Sequence, residues 1–71
     1  MNKKYHNIVE IEDITLLHTT EKAILVLNLK DEKTWIPFAW IDNFEVKTNL
    51  DQSQTCAFSI SQPSAEEKEL V

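Results

Sequence analysis

The apolar residues of this chain come in short runs, each broken within a few positions by polar or charged residues. The longest run, Ala23–Leu27, is far shorter than the roughly 20 residues that a membrane helix needs. Residues 55–61 alternate instead, with Cys56, Phe58 and Ile60 on one parity and small or polar residues on the other. Short alternating segments are typical of strands with one buried face. We therefore predict an all-β domain.

The first predicted strand, residues 8–17, changes its apolar parity midway. Val9 and Ile11 share one parity. Beyond Asp13, Ile14 and Leu16 share the other. A strand whose inward face switches in this way usually contains a bulge or a sharp bend. Small barrels use such a bend to carry a strand from one sheet into the next, so the parity switch favours a barrel.

The third predicted strand stops at Pro37, which lacks the N–H that a central strand needs and suits the first turn of a helix. We predict one 3₁₀ or α turn over residues 37–42, ending near Asn43. The whole pattern predicts a small five-stranded SH3-like barrel with this turn before the penultimate strand. An OB-like barrel is the alternative, because it has the same strand count. The predicted organisation is a flexible arm (1–7), the barrel (8–62) and an acidic C-terminal tail (63–71).

Composition excludes several function classes. Glycine is absent, so the chain has no P-loop, no G-x-G-x-x-G and no nucleophile elbow. We therefore predict that it is not an enzyme. There is no arginine, and 12 acidic residues against 7 lysines give a net charge of -5. This balance disfavours phosphate binding and suits a basic partner, although acidity also serves solubility alone. The single cysteine indicates a reducing compartment, the cytoplasm.

Residues 17–41 also carry a recognisable pattern. E-K-A-I-L-V begins at Glu21, and T-W-I-P begins at Thr34 with Ile41 downstream. This pattern resembles small proteins encoded by phages and other mobile elements, which share a K-A-x-L-V strand followed by W-I-P-K-S-x-I. The resemblance implies an SH3-like barrel in the cytoplasm of a host cell, and it supplies no catalytic residue.

The sequence departs from that pattern in the turn. Phe38, Ala39 and Trp40 stand where the pattern has lysine, serine and commonly a polar residue. A positively charged turn has thus become an aromatic one. The change weakens any expectation of phosphate contact and favours an apolar contact patch.

The aromatic turn and the acidic residues supply the candidate binding site. A tryptophan exposed beside Asp42 would be typical of an interface anchor, whereas the same Trp40 side chain could instead cap the open end of the barrel. The acidic residues should lie outside, either as a patch facing a basic groove or as a solvated surface. The predicted partner-binding residues are Phe38, Trp40, Asp42, Glu45, Asp31 and Glu32.

Few residues could build a metal or nucleophilic site. His6, His18 and Cys56 are scattered along the chain, whereas a metal site needs three or four ligands held together. We predict no metal and no cofactor. Cys56 lies on the apolar parity of its strand and is predicted to be an inert core thiol. Trp35 is also predicted to lie in the core.

These features favour a non-catalytic protein-binding module. The hypothesis is an accessory protein of a phage or mobile element that binds, and in one version inhibits, a host protein of nucleic-acid metabolism or defence such as a CRISPR effector. The alternative is a single-stranded nucleic-acid-binding barrel in which Tyr5, Phe38 and Trp40 stack on bases. A homodimer is a further option, with residues 55–61 as the predicted open edge strand.

Overall fold

The computed structural model describes residues 7–71 and contains five strands, one 3₁₀ turn and one short helix. In chain order they are β1 (Ile8–Thr19), β2 (Ala23–Leu27), β3 (Lys33–Pro37), the 3₁₀ turn (Phe38–Trp40), β4 (Ile41–Thr48), β5 (Gln54–Ser61) and α1 (Gln62–Glu67). The prediction of an all-β chain with five strands and a helical turn before the penultimate strand is confirmed. The predicted arm lies outside the described residues except for Asn7.

The five strands form one antiparallel sheet in the order β3-β2-β1-β5-β4. The sheet bends around a single core and is barrel-like. Within residues 7–71, β3 and β4 are the edge strands, and β5 pairs with both β1 and β4. The prediction that residues 55–61 form an open edge is therefore wrong. Alternation reports which face of a strand is buried, but it does not report how many neighbours the strand has.

The bend predicted in β1 is confirmed. Ile11 pairs with Phe58 and Ile14 with Cys56, so β1 has one residue more than β5 across this step. Asp13 has a φ of 58°, in the left-handed region that aspartate tolerates better than most residues. The bulge turns β1 so that its two halves pack their apolar residues against the same core.

A second bulge lies in β4, on the other side of β5. Asp42 pairs with Ser59 and Glu45 with Ala57, which again leaves one extra residue on the outer strand. Asn43 has a φ of 56° there. Asn43 therefore lies inside β4. The prediction that the helical turn ends near Asn43 is wrong, because the turn ends at Trp40. The two bulges flank the same part of β5, so both neighbours of that strand bend together.

The core is built from alternate residues of every strand. Ile24, Val26, Ile36 and Ile60 are the largest fully buried side chains. Around them lie the remaining buried apolar residues, which are Ile11, Leu16, Ile41, Cys56, Phe58, Ala65 and Leu70. Cys56 is a core residue, as predicted.

Trp35 was predicted to lie in the core, and this prediction is wrong. Its side chain is 46% exposed, because the adjacent Ile36 takes the inward parity of β3 and is fully buried. Trp35 pairs with Leu25 on the outer side of β2, and its ring meets the ring of His18 edge-on, with centroids 6.2 Å apart. The outer side of β1, β2 and β3 therefore carries an aromatic surface.

The C-terminal segment is not a loose tail. Within residues 63–71, Ala65 is fully buried and Leu70 is 5% exposed, so both belong to the core. The Leu29 N–H donates to the Glu69 carbonyl at 3.0 Å. A helix this short is marginal alone in water. Burial of Leu70 supplies the stabilisation that the local sequence lacks.

No helix in residues 7–71 combines the length and the apolar character that a membrane crossing requires.

Candidate functional site

The outer side of β1, β5 and β4 gathers carboxylates from two different strands. Glu10 of β1 and Asp42 of β4 both pair with Ser59 of β5, which lies between these two strands, so the three residues form one row across the sheet. Side chains in such a row point to the same face. Two carboxylates therefore flank one short hydroxyl side chain.

A second row lies beside the first and is centred on Ala57. Glu45 pairs with Ala57, and Glu12 lies in the β1 bulge on the opposite side. Small residues on β5 and longer ones on β1 and β4 leave a shallow depression of about 180 Å³. Its lining comprises Glu10, Ile11, Glu12, Asn43, Glu45, Ala57, Phe58 and Ser59. We call Glu10, Glu12, Asp42 and Glu45 the acidic face.

The acidic face is not neutralised within the described part of the chain. All four carboxylates are exposed, and no lysine lines the depression. The salt bridge found in residues 7–71 joins Lys30 Nζ to Glu69 Oε1 at 2.6 Å, away from this face. The four carboxylates are therefore accessible from solvent and engaged in no salt bridge within these residues.

The bulge in β4 lets Asp42 and Glu45 face outward together, although the two residues have opposite parity along the strand. Glu10 and Glu12 need no bulge, because both precede the one in β1 and have the same parity. In the β4 bulge, Asn43 Nδ2 donates to Ser59 Oγ at 3.4 Å and links β4 to β5. The backbone of both strands is thus fixed beside the acidic face.

The aromatic turn lies at the start of β4. Phe38 is half-buried, and its ring packs edge-on against Phe44 with centroids 5.3 Å apart. Phe38 therefore serves mainly packing. Trp40 is 38% exposed, and Lys68 Nζ lies 5.3 Å from the centroid of its ring. Trp40 precedes Asp42 by two residues, so an exposed tryptophan adjoins the acidic face along the chain.

The predicted binding residues fall into three places. Asp42 and Glu45 belong to the acidic face, and Phe38 and Trp40 form the aromatic turn. Asp31 and Glu32 are exposed on the turn between β2 and β3, apart from both.

Glu10 and Glu12 were recognisable from sequence as outward-facing residues because they alternate with Val9 and Ile11. Their place on the same face as Asp42 and Glu45, across β5, depends on strand pairing, which alternation does not encode.

Cys56 and His18 do not form a joint site. Cys56 is buried in the core, and burial raises the pKa of its thiol to about 11. His18 lies on the outer side of the sheet against Trp35. The thiol is therefore neutral at ordinary pH, and the one histidine among residues 7–71 does not adjoin it.

Comparison with known proteins gives no relative for this chain: no family model, no curated protein and no solved structure matches it. The resemblance to barrel proteins of phages and mobile elements stays a prediction.

Proposed function

We propose that this chain is a non-catalytic protein-binding module whose acidic face docks on a basic surface of another protein. The observation that supports the proposal is the gathering of Glu10, Glu12, Asp42 and Glu45 around the small residues of β5, with no lysine in the depression between them. Opposite charge across an interface speeds association and selects the partner. Trp40 would add an apolar anchor at the border of this surface.

The partner that we propose is a host protein of nucleic-acid metabolism or defence, such as a CRISPR effector, in the cytoplasm. Proteins of this kind present basic grooves that hold phosphates. An acidic surface docked in such a groove would exclude the nucleic acid. A phage or mobile-element origin is in keeping with this role, since the K-A-I-L-V and T-W-I-P segments resemble proteins from that source.

The first experiment measures binding of a fluorescein-labelled nona-lysine peptide by anisotropy, in buffers from low to physiological salt. Neutralising the acidic face should weaken binding about tenfold or more, or ~1.4 kcal/mol, because each exposed carboxylate contributes a modest attraction. The weakening should shrink as salt rises. The variant carries the substitutions Glu10→Gln, Glu12→Gln, Asp42→Asn and Glu45→Gln.

A matched control separates a local site from total charge. It removes four other exposed carboxylates and so has the same net charge as the first variant. Its substitutions are Glu21→Gln, Asp51→Asn, Glu66→Gln and Glu67→Gln. We expect the control to bind almost as the parent chain does. Equal weakening in both variants would mean that the peptide senses only net charge, and the proposed site would be wrong.

A second candidate function is single-stranded nucleic-acid binding, and one observation favours it. Trp35 is exposed and stands against His18 on the outer side of the sheet, with Lys33 on the same edge strand. Exposed aromatic rings beside lysines are the means by which single strands are held without sequence preference. Of the residues first suggested for stacking, Tyr5 lies outside the described residues and Phe38 is half-buried.

Tryptophan fluorescence with a thymidine oligonucleotide separates the two candidates. Stacking on Trp35 would quench the emission and would be lost in Trp35→Ala. Stacking on Trp40 would be lost in Trp40→Ala instead. Absence of quenching at low salt would remove this second candidate.

A further inference from the structure

A groove opens on the other side of β1, where that strand bends away from β2. Pairing of the two strands reaches Leu16 and Val26 and goes no further toward the bulge. The gap has a volume of about 360 Å³, toward the lower end of the roughly 300–1,000 Å³ of ligand sites. Its lining includes the acidic residues Glu10, Glu12, Asp13 and Asp31 and no lysine.

The groove also has an apolar floor, formed where the C-terminal segment closes one end of the core. Ile11, Ile14, Leu27 and Leu70 contribute to its lining. Carboxylates above an aliphatic floor match a lysine or arginine side chain, whose stem packs on apolar atoms while its charged head reaches polar groups. A phosphate or another anion does not fit this surface.

Asn28 is an independent feature of the same groove. It lines the groove and is 9% exposed, the one buried polar residue among residues 7–71. Its Oδ1 accepts the N–H groups of Lys30 and Glu32, both at 2.9 Å. These two bonds fix the amide plane and set Nδ2 on the side away from the turn. Within the described residues, Nδ2 donates to no acceptor, although buried donors are normally satisfied.

We propose that this groove binds a cationic side chain of a protein segment, with a backbone carbonyl of the same segment accepting a hydrogen bond from Asn28 Nδ2. The carboxylates of Asp13 and Asp31 receive the charged head. Arginine suits the site better than lysine, because its planar fork binds carboxylates through two parallel hydrogen bonds. The groove and the acidic face share Glu10 and Glu12, so one partner surface can reach both.

This inference rests on the proposed function and gives it a partner chemistry. The acidic face attracts a basic surface in general. The groove selects one side chain together with the peptide unit beside it. A free cation would satisfy the carboxylates and leave Asn28 Nδ2 unpaired, so the two ligands are distinguishable by measurement.

The test is a nuclear magnetic resonance titration of the full chain, read at the side-chain amide of Asn28. Two probes are compared, N-acetyl-arginine N-methylamide and propylguanidinium, which has the same three-carbon stem and charged head but no peptide unit. The first should shift the Asn28 Nδ2 resonances and bind roughly two- to tenfold more tightly, as one added hydrogen bond allows. Propylguanidinium should shift the neighbours of Asp13 and Asp31 and leave the Asn28 amide unchanged.

Two variants separate the contributions. Asn28→Asp retains the two acceptor bonds of the turn and loses the donor, so both probes should bind it equally. Asp13→Asn with Asp31→Asn should bind both probes weakly. Asparagine tolerates the positive φ at both positions, so the backbone is preserved.

The outcomes separate this inference from the function on which it rests. If nona-lysine shifts the acidic face while neither arginine probe moves the Asn28 amide, the groove assignment is overturned and the proposed function stands. If no cationic probe shifts any resonance, both are overturned. If the two probes bind the parent chain equally, the role of Asn28 is wrong and the role of the carboxylates stands.

Discussion

Shortening Leu70 to alanine should destabilise the whole domain, although the residue lies almost at the end of the described chain. Leu70 is 5% exposed and packs in the same core as the strand residues. The substitution removes about three methylene equivalents at ~0.8 kcal/mol each, or ~2.4 kcal/mol. Incomplete collapse of the cavity adds to this, so we expect a loss of about 3 kcal/mol.

That loss is large for a domain of 71 residues. At 0.05–0.15 kcal/mol per residue, the free energy of unfolding is about 4–11 kcal/mol. The melting temperature of a domain of this size falls by 4–8 °C for each kcal/mol, so it should drop by roughly 12–24 °C. Thermal unfolding followed by circular dichroism measures this directly.

Leu50→Ala is the matched control, because the same atoms are removed from a fully exposed side chain at the tip of the β4–β5 hairpin. We expect that substitution to change stability by less than about 0.5 kcal/mol. If the two variants melt together, Leu70 is not part of the core and the segment behaves as the tail that its sequence suggested.

Three further predictions concern the bulge, the thiol and the aromatic turn. Asp13→Val should destabilise the fold by about 1–2 kcal/mol, because a β-branched residue resists a φ of 58°, whereas Asp13→Asn should be nearly neutral in urea unfolding. Cys56 should react with a thiol reagent at pH 8 only after unfolding, because the folded chain buries the thiol. Burial also raises the pKa of this thiol to about 11, so the folded state keeps a proton that the unfolded state releases above about pH 9. The stability that the buried neutral thiol contributes is therefore complete below pH 9 and falls as the pH rises toward 11. Cys56→Ala should lack this part of the pH dependence. Lys68→Met should cost about 0.5–1 kcal/mol by removing the cation–π contact, and the same change in a Trp40→Leu background should cost less.

Local features of the fold were predictable because they depend on short stretches of sequence. The parity switch in β1 indicated the bulge, and Pro37 indicated the helical turn. The alternation of β5 gave the inward face that contains Cys56. In each case the feature is determined by residues that are close together in the sequence.

Features that depend on pairing between distant strands were not predictable in this way. The sequence of β5 does not reveal that β1 and β4 cover both of its edges. Trp35 and Ile36 are adjacent and both apolar, so only the register with β2 decides which one is buried. The acidic face has the same origin, since Glu10 and Asp42 meet only through their shared partner Ser59.

We propose that the outer side of β1, β5 and β4 is a binding surface for cationic protein segments. Mapping the backbone amide shifts of the full chain during a nona-lysine titration at low salt tests it most directly. We predict that the largest shifts occur at residues 10–12, 42–45 and 57–59, and that they vanish as salt screens the charges. Shifts concentrated around Trp35 and His18, or spread evenly over all exposed carboxylates, would contradict the account.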